Sequence, residues 1–135
     1  MSKPDFSGTW TFNPEKSRLQ ITAPDASLFV VDHRDPMLRI SRTHYNHDKQ
    51  DTFTLDLTTD GTDVIVERGD VRLRCHARWD GETLVFDTWM EQRGAEATNI
   101  VRYALSRDGK TLTADEQFRS HSLNYDNVWT LDRVL

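Results

Sequence analysis

From about residue 28 onward, apolar and polar side chains alternate along almost the whole chain. Val71-Arg72-Leu73-Arg74-Cys75-His76-Ala77-Arg78-Trp79 shows it most plainly, with apolar odd positions and basic even ones. A period of two puts successive side chains on opposite faces of a strand. Helical periodicity is nearly absent, and turn signals separate the alternating segments: Asp60-Gly61, Arg68-Gly69-Asp70, Asp80-Gly81, Arg93-Gly94, Asp108-Gly109 and, earlier, Asp35-Pro36. The pattern predicts strands over 6–13, 28–34, 37–46, 51–58, 62–68, 70–79, 83–92, 96–106, 111–120 and 125–134. Short strands joined by tight turns, with few devices to block sheet edges, suit an all-β, ten-stranded antiparallel up-and-down barrel.

One stretch departs from alternation. Asn13 is a good helix N-cap, Pro14 fits the first helical position and Glu15 suits the positive helix end, while Pro24 stops the run. A short helical segment over 14–27, placed as a lid at one barrel end, is therefore expected after the first strand.

In a meander, neighbouring strands run in opposite directions, so inward parity can be followed from end to end. The end where the first strand starts collects Phe6, Trp10, Leu38, Ile40, Leu55, Leu57, Ala77, Trp79, Leu84, Leu112, Trp129 and Leu131, a dry core. The opposite end collects Arg42, His44, Asn46, Thr88, Met90, Asn99, Glu116, Phe118, Ser120, Tyr125 and Asn127, with Val71 and Leu73 nearby. This segregation predicts a barrel closed below, with a polar-lined cavity above. The competing account is a rim of polar residues that simply face water.

The 135 residues make one domain, large enough for a core without disulfide or metal staples. Seventeen Lys and Arg against 22 Asp and Glu leave a net charge of -5, which argues against nucleic acid or an anionic membrane as partner. No apolar run approaches a membrane span. The opening MSKPDFSG has no apolar signal core, so a cytoplasmic location is expected, or a periplasmic or secreted one if a signal peptide was removed. The lone Cys75 excludes an intramolecular disulfide, and its parity makes it a small buried hydrophobe rather than a thiolate beside Arg74 and His76.

Phe6-Ser7-Gly8-Thr9-Trp10, followed by Asn13-Pro14-Glu15-Lys16-Ser17, resembles the opening strand of the calycin superfamily: lipocalins, fatty-acid-binding proteins and small bacterial relatives. The resemblance implies that Gly8 and Trp10 lie at the closed end, with Arg133 of the last strand packed across the Trp. The strand count and the insertion after the first strand are similar to the fatty-acid-binding branch. That branch's two full helices do not fit in the insertion. Its Arg-x-Tyr clamp on the final strand is also missing, since that strand reads Tyr125-Asp126-Asn127-Val128-Trp129.

Glu116 lies between Ala114 and Phe118 on the inward parity, and a carboxylate there needs a partner, for which Arg42 and His44 are the candidates. Such a group could be a structural salt bridge, an anchor for a ligand's polar end, or a His44/Glu116 acid–base pair. His44 and His47 point to opposite faces of a strand, so no metal site is expected, and no cofactor. His33, His76 and His121 fall on the outward parity. Arg72, Arg74, His76 and Arg78 form an outer basic row with Glu67 and Asp87 as cross-strand partners, and Val85, Trp89 and Ile100 form a small outward apolar patch.

Together these features predict non-covalent binding of a small hydrophobic or amphipathic molecule by a monomer or homodimer. Arg42, His44, Asn99, Glu116 and Tyr125 would hold its polar end, with Thr88 and Asn127 also among the ligand-binding residues. Phe86, Met90, Val101, Tyr103 and Phe118 would contact its body. The alternatives are a cofactor-free isomerase, hydratase or lyase using His44 and Glu116, and a protein-interaction module working through the exterior around Trp89. The fold alone does not choose among them.

Overall fold

A computed structural model describes residues 3–135. It contains β1 (Gly8–Phe12), β2 (Ala26–Arg34), β3 (Met37–Asn46), β4 (Lys49–Thr58), β5 (Val64–Arg68), β6 (Val71–Asp80), β7 (Thr83–Gln92), β8 (Ala95–Leu105), β9 (Thr111–Ser120) and β10 (Asn124–Arg133). Two-residue turns at 47–48, 69–70, 81–82 and 93–94 carry the positive φ values that match the twist of paired strands. The strands form one antiparallel sheet in the order β4-β3-β2-β1-β10-β9-β8-β7-β6-β5, rolled into a nearly closed barrel. The expected bounds of β3, β7 and β9 coincide with those observed, and the others differ by a residue or two at one or both ends.

Closure is made by β1, which pairs with β2 on one side and, through Trp10–Phe12, with Leu131–Arg133 of β10 on the other. Among the described residues, the opposite seam, between β4 and β5, carries no ladder. At its lower end the Gly61 N–H donates to the Ala77 carbonyl at 2.9 Å and Asp60 bridges Arg78. At its upper end Arg68 of β5 donates to Asp51 of β4 at 2.7 Å, with its guanidinium carbon 4.7 Å from the centre of the Phe53 ring.

The expected helix over 14–27 does not form among the described residues. The Asn13 cap does: its Oδ1 accepts from the Glu15 and Lys16 N–H groups at 3.1 and 3.2 Å. One turn follows, and the chain then straightens to lie along β10. Arg18 and Val128 exchange backbone hydrogen bonds at 2.8 and 2.7 Å, and the Gln20 N–H donates to Asn127 Oδ1 at 2.8 Å. The cause is the shortness of β1. Because β1 covers only the lower end of β10, the upper edge of β10 would otherwise leave backbone groups unpaired, and residues 13–20 supply their partners. The segment is part of the wall and not a lid.

The core fills the lower half. Trp10, Leu84, Leu112 and Leu131 are fully buried, each stabilising the fold by about 1.5–3 kcal/mol relative to exposure. Two outward assignments are corrected. His33 is buried, because Ser27, Phe29, Val31 and His33 form the inward row of β2. Its Nδ1 accepts from the Phe6 N–H at 3.1 Å, and its Nε2 faces Asp35 at 3.0 Å. Val85 is fully buried despite its outward parity. The register sets it directly between Arg78 and Arg102, long side chains of the kind whose stems cover small neighbours. The outer apolar patch is correspondingly smaller, and Trp89 lies under the Arg74 guanidinium, 5.2 Å from its ring centre.

Candidate functional site

Above the core is a cavity of about 670 Å³. Its wall is built from β3 (Arg42), β4 (Asp51, Phe53, Leu55), the β5–β6 hairpin and β6 (Arg68, Val71, Leu73, Cys75), β7 (Thr88, Met90) and β8 (Asn99). Arg42 and Asn99 alternate inward on their strands, deep in an otherwise largely apolar lining. Among the described residues, Arg42 Nε and Asn99 Oδ1 are the two buried side-chain polar atoms without a hydrogen-bond partner. Both residues line this cavity, although these two atoms are themselves closed to water.

Behind Arg42 is a second, small cavity of about 50 Å³, lined by Phe29, Arg42, His44, Val101, Tyr103, Ala114, Glu116 and Trp129. It has room for a few waters at most. Among the described residues, Glu116 makes no ion pair. Its Oε1 accepts from Asn127 Nδ2 at 2.8 Å and from Trp129 Nε1 at 2.9 Å, and its Oε2 accepts from Asn99 Nδ2 at 3.0 Å. The expected partnership with Arg42 or His44 is thus replaced by three neutral donors from β8 and β10. Register explains it: Asn127 and Val101 stand opposite Glu116, with Trp129 and Asn99 one inward step away.

His44 is half-buried, and its Nδ1 lies 2.6 Å from Ser27 Oγ. Burial, aided by the Arg42 charge, holds its pKa below the ordinary histidine value, against weaker opposing pulls from Asp51 and Glu116. Because the folded value is the depressed one, the neutral imidazole contributes stability above the unfolded pKa of about 6.5, and that contribution is lost as pH falls below it. Stability of the natural protein, measured by urea unfolding between pH 7.5 and 5, should therefore drop more steeply than that of His44→Gln. Parallel curves would remove His44 from the account.

The other expected site residues divide into three groups. Thr88 and Met90 line the main cavity with Arg42 and Asn99. Val101 and Tyr103 line the small one, where burial pushes the Tyr103 phenol up. Phe118 and Tyr125 stack at the rim with ring centres 4.8 Å apart, Phe86 packs edge-on against Tyr103 in the core, and Asn127 is buried behind Glu116. His44 and His47 diverge, His47 being almost wholly exposed. Burial raises the Cys75 thiol pKa, which opposes thiolate chemistry. Sequence reasoning missed Asp51, Phe53 and Arg68, although the inward parity of Leu55 and Leu57, and of Val64 and Val66, points to them when followed to the strand ends.

At the closed end, the Arg133 guanidinium carbon lies 4.2 Å from the centre of the Trp10 ring. Its Nε and Nη1 donate to the Gly109 and Ser7 carbonyls, both at 2.8 Å. Gly8 stands against this guanidinium with a φ of 137°.

No protein-family model matches the chain. No curated protein sequence matches it either. Solved structures do. A secretory abundant heat soluble protein from Ramazzottius varieornatus superposes with a TM-score of 0.64 at 9% identity, over 95% of this chain and 94% of that one. Zebrafish ileal bile acid-binding protein, complexed with cholic acid, gives 0.61 at 13% identity over 96% and 98%. A single-residue mutant of the fluorescent protein UnaG gives 0.57 at 15% over 96% of each. The chain has the calycin-type, fatty-acid-binding-protein-like barrel fold.

Proposed function

We propose that this barrel binds a small, partly apolar molecule in the 670 Å³ cavity, with the polar end of the ligand at Arg42 and Asn99. The observation that carries the reading is that Arg42 and Asn99, a cation and an amide, line one cavity whose wall is otherwise largely apolar. Ligand sites of this kind combine apolar walls with a few polar groups that fix orientation, and these two side chains would serve the polar end. Leu55, Leu73, Cys75, Met90 and Phe53 offer its body an apolar wall. A barrel of the same fold is complexed with cholic acid, which agrees with this use of the interior. An acid–base role for His44 and Glu116 has less support, because both Glu116 oxygens are already occupied by donors. An exterior interaction role has less support because Val85 is buried.

Arg42→Met tests it. Methionine fills the space without a charge, so the variant should unfold at an equal or higher urea concentration while losing at least about tenfold in affinity for 1-anilinonaphthalene-8-sulfonate, an anionic apolar probe. Mass spectra of freshly purified natural protein, native and then denatured, should show a small molecule released on denaturation. Equal probe affinity of the natural protein and Arg42→Met would overturn the placement of the polar end.

A further inference from the structure

Arg42 belongs to the walls of two chambers. It lines the main cavity and also the small one behind it, whose wall includes His44, two residues on along the same face of β3. Among the described residues, Arg42 makes no ion pair. The carboxylates near His44 are engaged elsewhere. Asp51, opposite it on β4, takes the Arg68 guanidinium at 2.7 Å, and Glu116 of β9 is held by Asn99, Asn127 and Trp129. The other groups packed around the imidazole carry no charge: Ser27 and Phe29 of β2, Trp129 of β10, and Tyr103 of β8, whose phenol burial keeps protonated. His44 is thus set near a cation that has no counter-charge of its own, in a half-buried place where water screens the two poorly.

We infer that His44 in the small cavity is a proton-binding site coupled to the ligand site, so that an anionic ligand at Arg42 and a proton on His44 each strengthen the binding of the other. The inference rests on the binding reading above and adds to it how pH governs retention. Burial and the Arg42 charge both oppose a charged imidazole. An anion seated at Arg42 cancels the second of these, and reciprocity then requires that a protonated His44 attract the anion in turn. Ser27 does not block the proton, because its hydroxyl can donate to the neutral ring or accept from the charged one. A neutral ligand of the same shape leaves the Arg42 charge in place and gains nothing. The site therefore holds an anion more tightly in mildly acidic surroundings and loosens it as pH rises through the range in which histidines titrate.

The test compares 1-anilinonaphthalene-8-sulfonate with N-phenyl-1-naphthylamine, its neutral parent, which lacks only the sulfonate. Neither probe titrates between pH 8 and 5.5. For the full natural chain the dissociation constant of the anionic probe should fall about fivefold over that range, while that of the neutral probe stays level. In His44→Gln the gain should shrink to less than about twofold, the remainder coming from the other histidines and the net charge. The His44 ring proton, followed by NMR in the natural protein, should titrate at a higher pH with saturating anionic probe than without it. That measurement carries the test if circular dichroism shows His44→Gln unfolded. An equal gain in the natural protein and His44→Gln, an equal gain for both probes, or a His44 midpoint that the anion does not raise overturns the coupling and leaves the binding reading intact. Failure of the natural protein to bind either probe at either pH overturns both.

Discussion

Gly8→Ala should unfold about 3 kcal/mol more easily than the natural protein in urea, with little change in slope. Two separate costs add to that figure. The φ of 137° lies where an L side chain is rarely found, which costs about 1–3 kcal/mol. The new methyl group would also press on Arg133 Nη1. An arginine tip elsewhere would swing aside, but this one is held by the Ser7 and Gly109 carbonyls and rests on the Trp10 face. A double-mutant cycle separates the two costs. In an Arg133→Met background the methyl group meets a flexible, unanchored chain, so Gly8→Ala should cost only its backbone strain. Full additivity would mean that the close approach to Arg133 contributes nothing.

Glu116→Leu should be the more damaging change inside the barrel, costing about 2–5 kcal/mol. Leucine fills a similar space but accepts no hydrogen bond. Asn127 is 1% exposed and Trp129 9% exposed, so neither N–H reaches bulk solvent in place of the carboxylate. Asn99 can turn toward the cavity and its solvent, so its loss is smaller. Glu116→Gln, which still accepts from Asn127 and Trp129, should lose no more than about 1 kcal/mol. Equilibrium urea unfolding of the three proteins checks the order. A leucine variant within about 1 kcal/mol of the natural protein would show that the three donors find other partners.

The alternation of Val71–Trp79 and its counterparts made the strands, their order and the apolar closed end legible in the sequence, because a buried face repeats every second residue wherever one side of a sheet meets a core. Where parity was followed to the strand ends it found Arg42, Thr88, Met90 and Asn99, all now on one cavity wall. It failed where tertiary pairing overrides a local signal. Asn13 caps a turn as its type predicts, yet the helix is forfeited to the unpaired edge of β10. Glu116 took amides and an indole instead of a cation, a choice set by the β8–β9–β10 register and invisible in any one segment. The unladdered seam between β4 and β5 leaves no mark either, since the residues beside it alternate like all the others.

Closure through β1 and β10 also governs how the chain can reach its folded state. Trp10 meets Arg133 in that ladder, so the contact completing the ring joins residues more than a hundred positions apart. The hairpins from β2 to β4 and from β5 to β10 need only local encounters, whereas this last step must confine nearly the entire chain. On the ribosome, Trp10 has no lid of arginine and no tenth strand until the final segment has emerged. Trp10 therefore gains its cover only from a contact that local hairpin formation cannot supply.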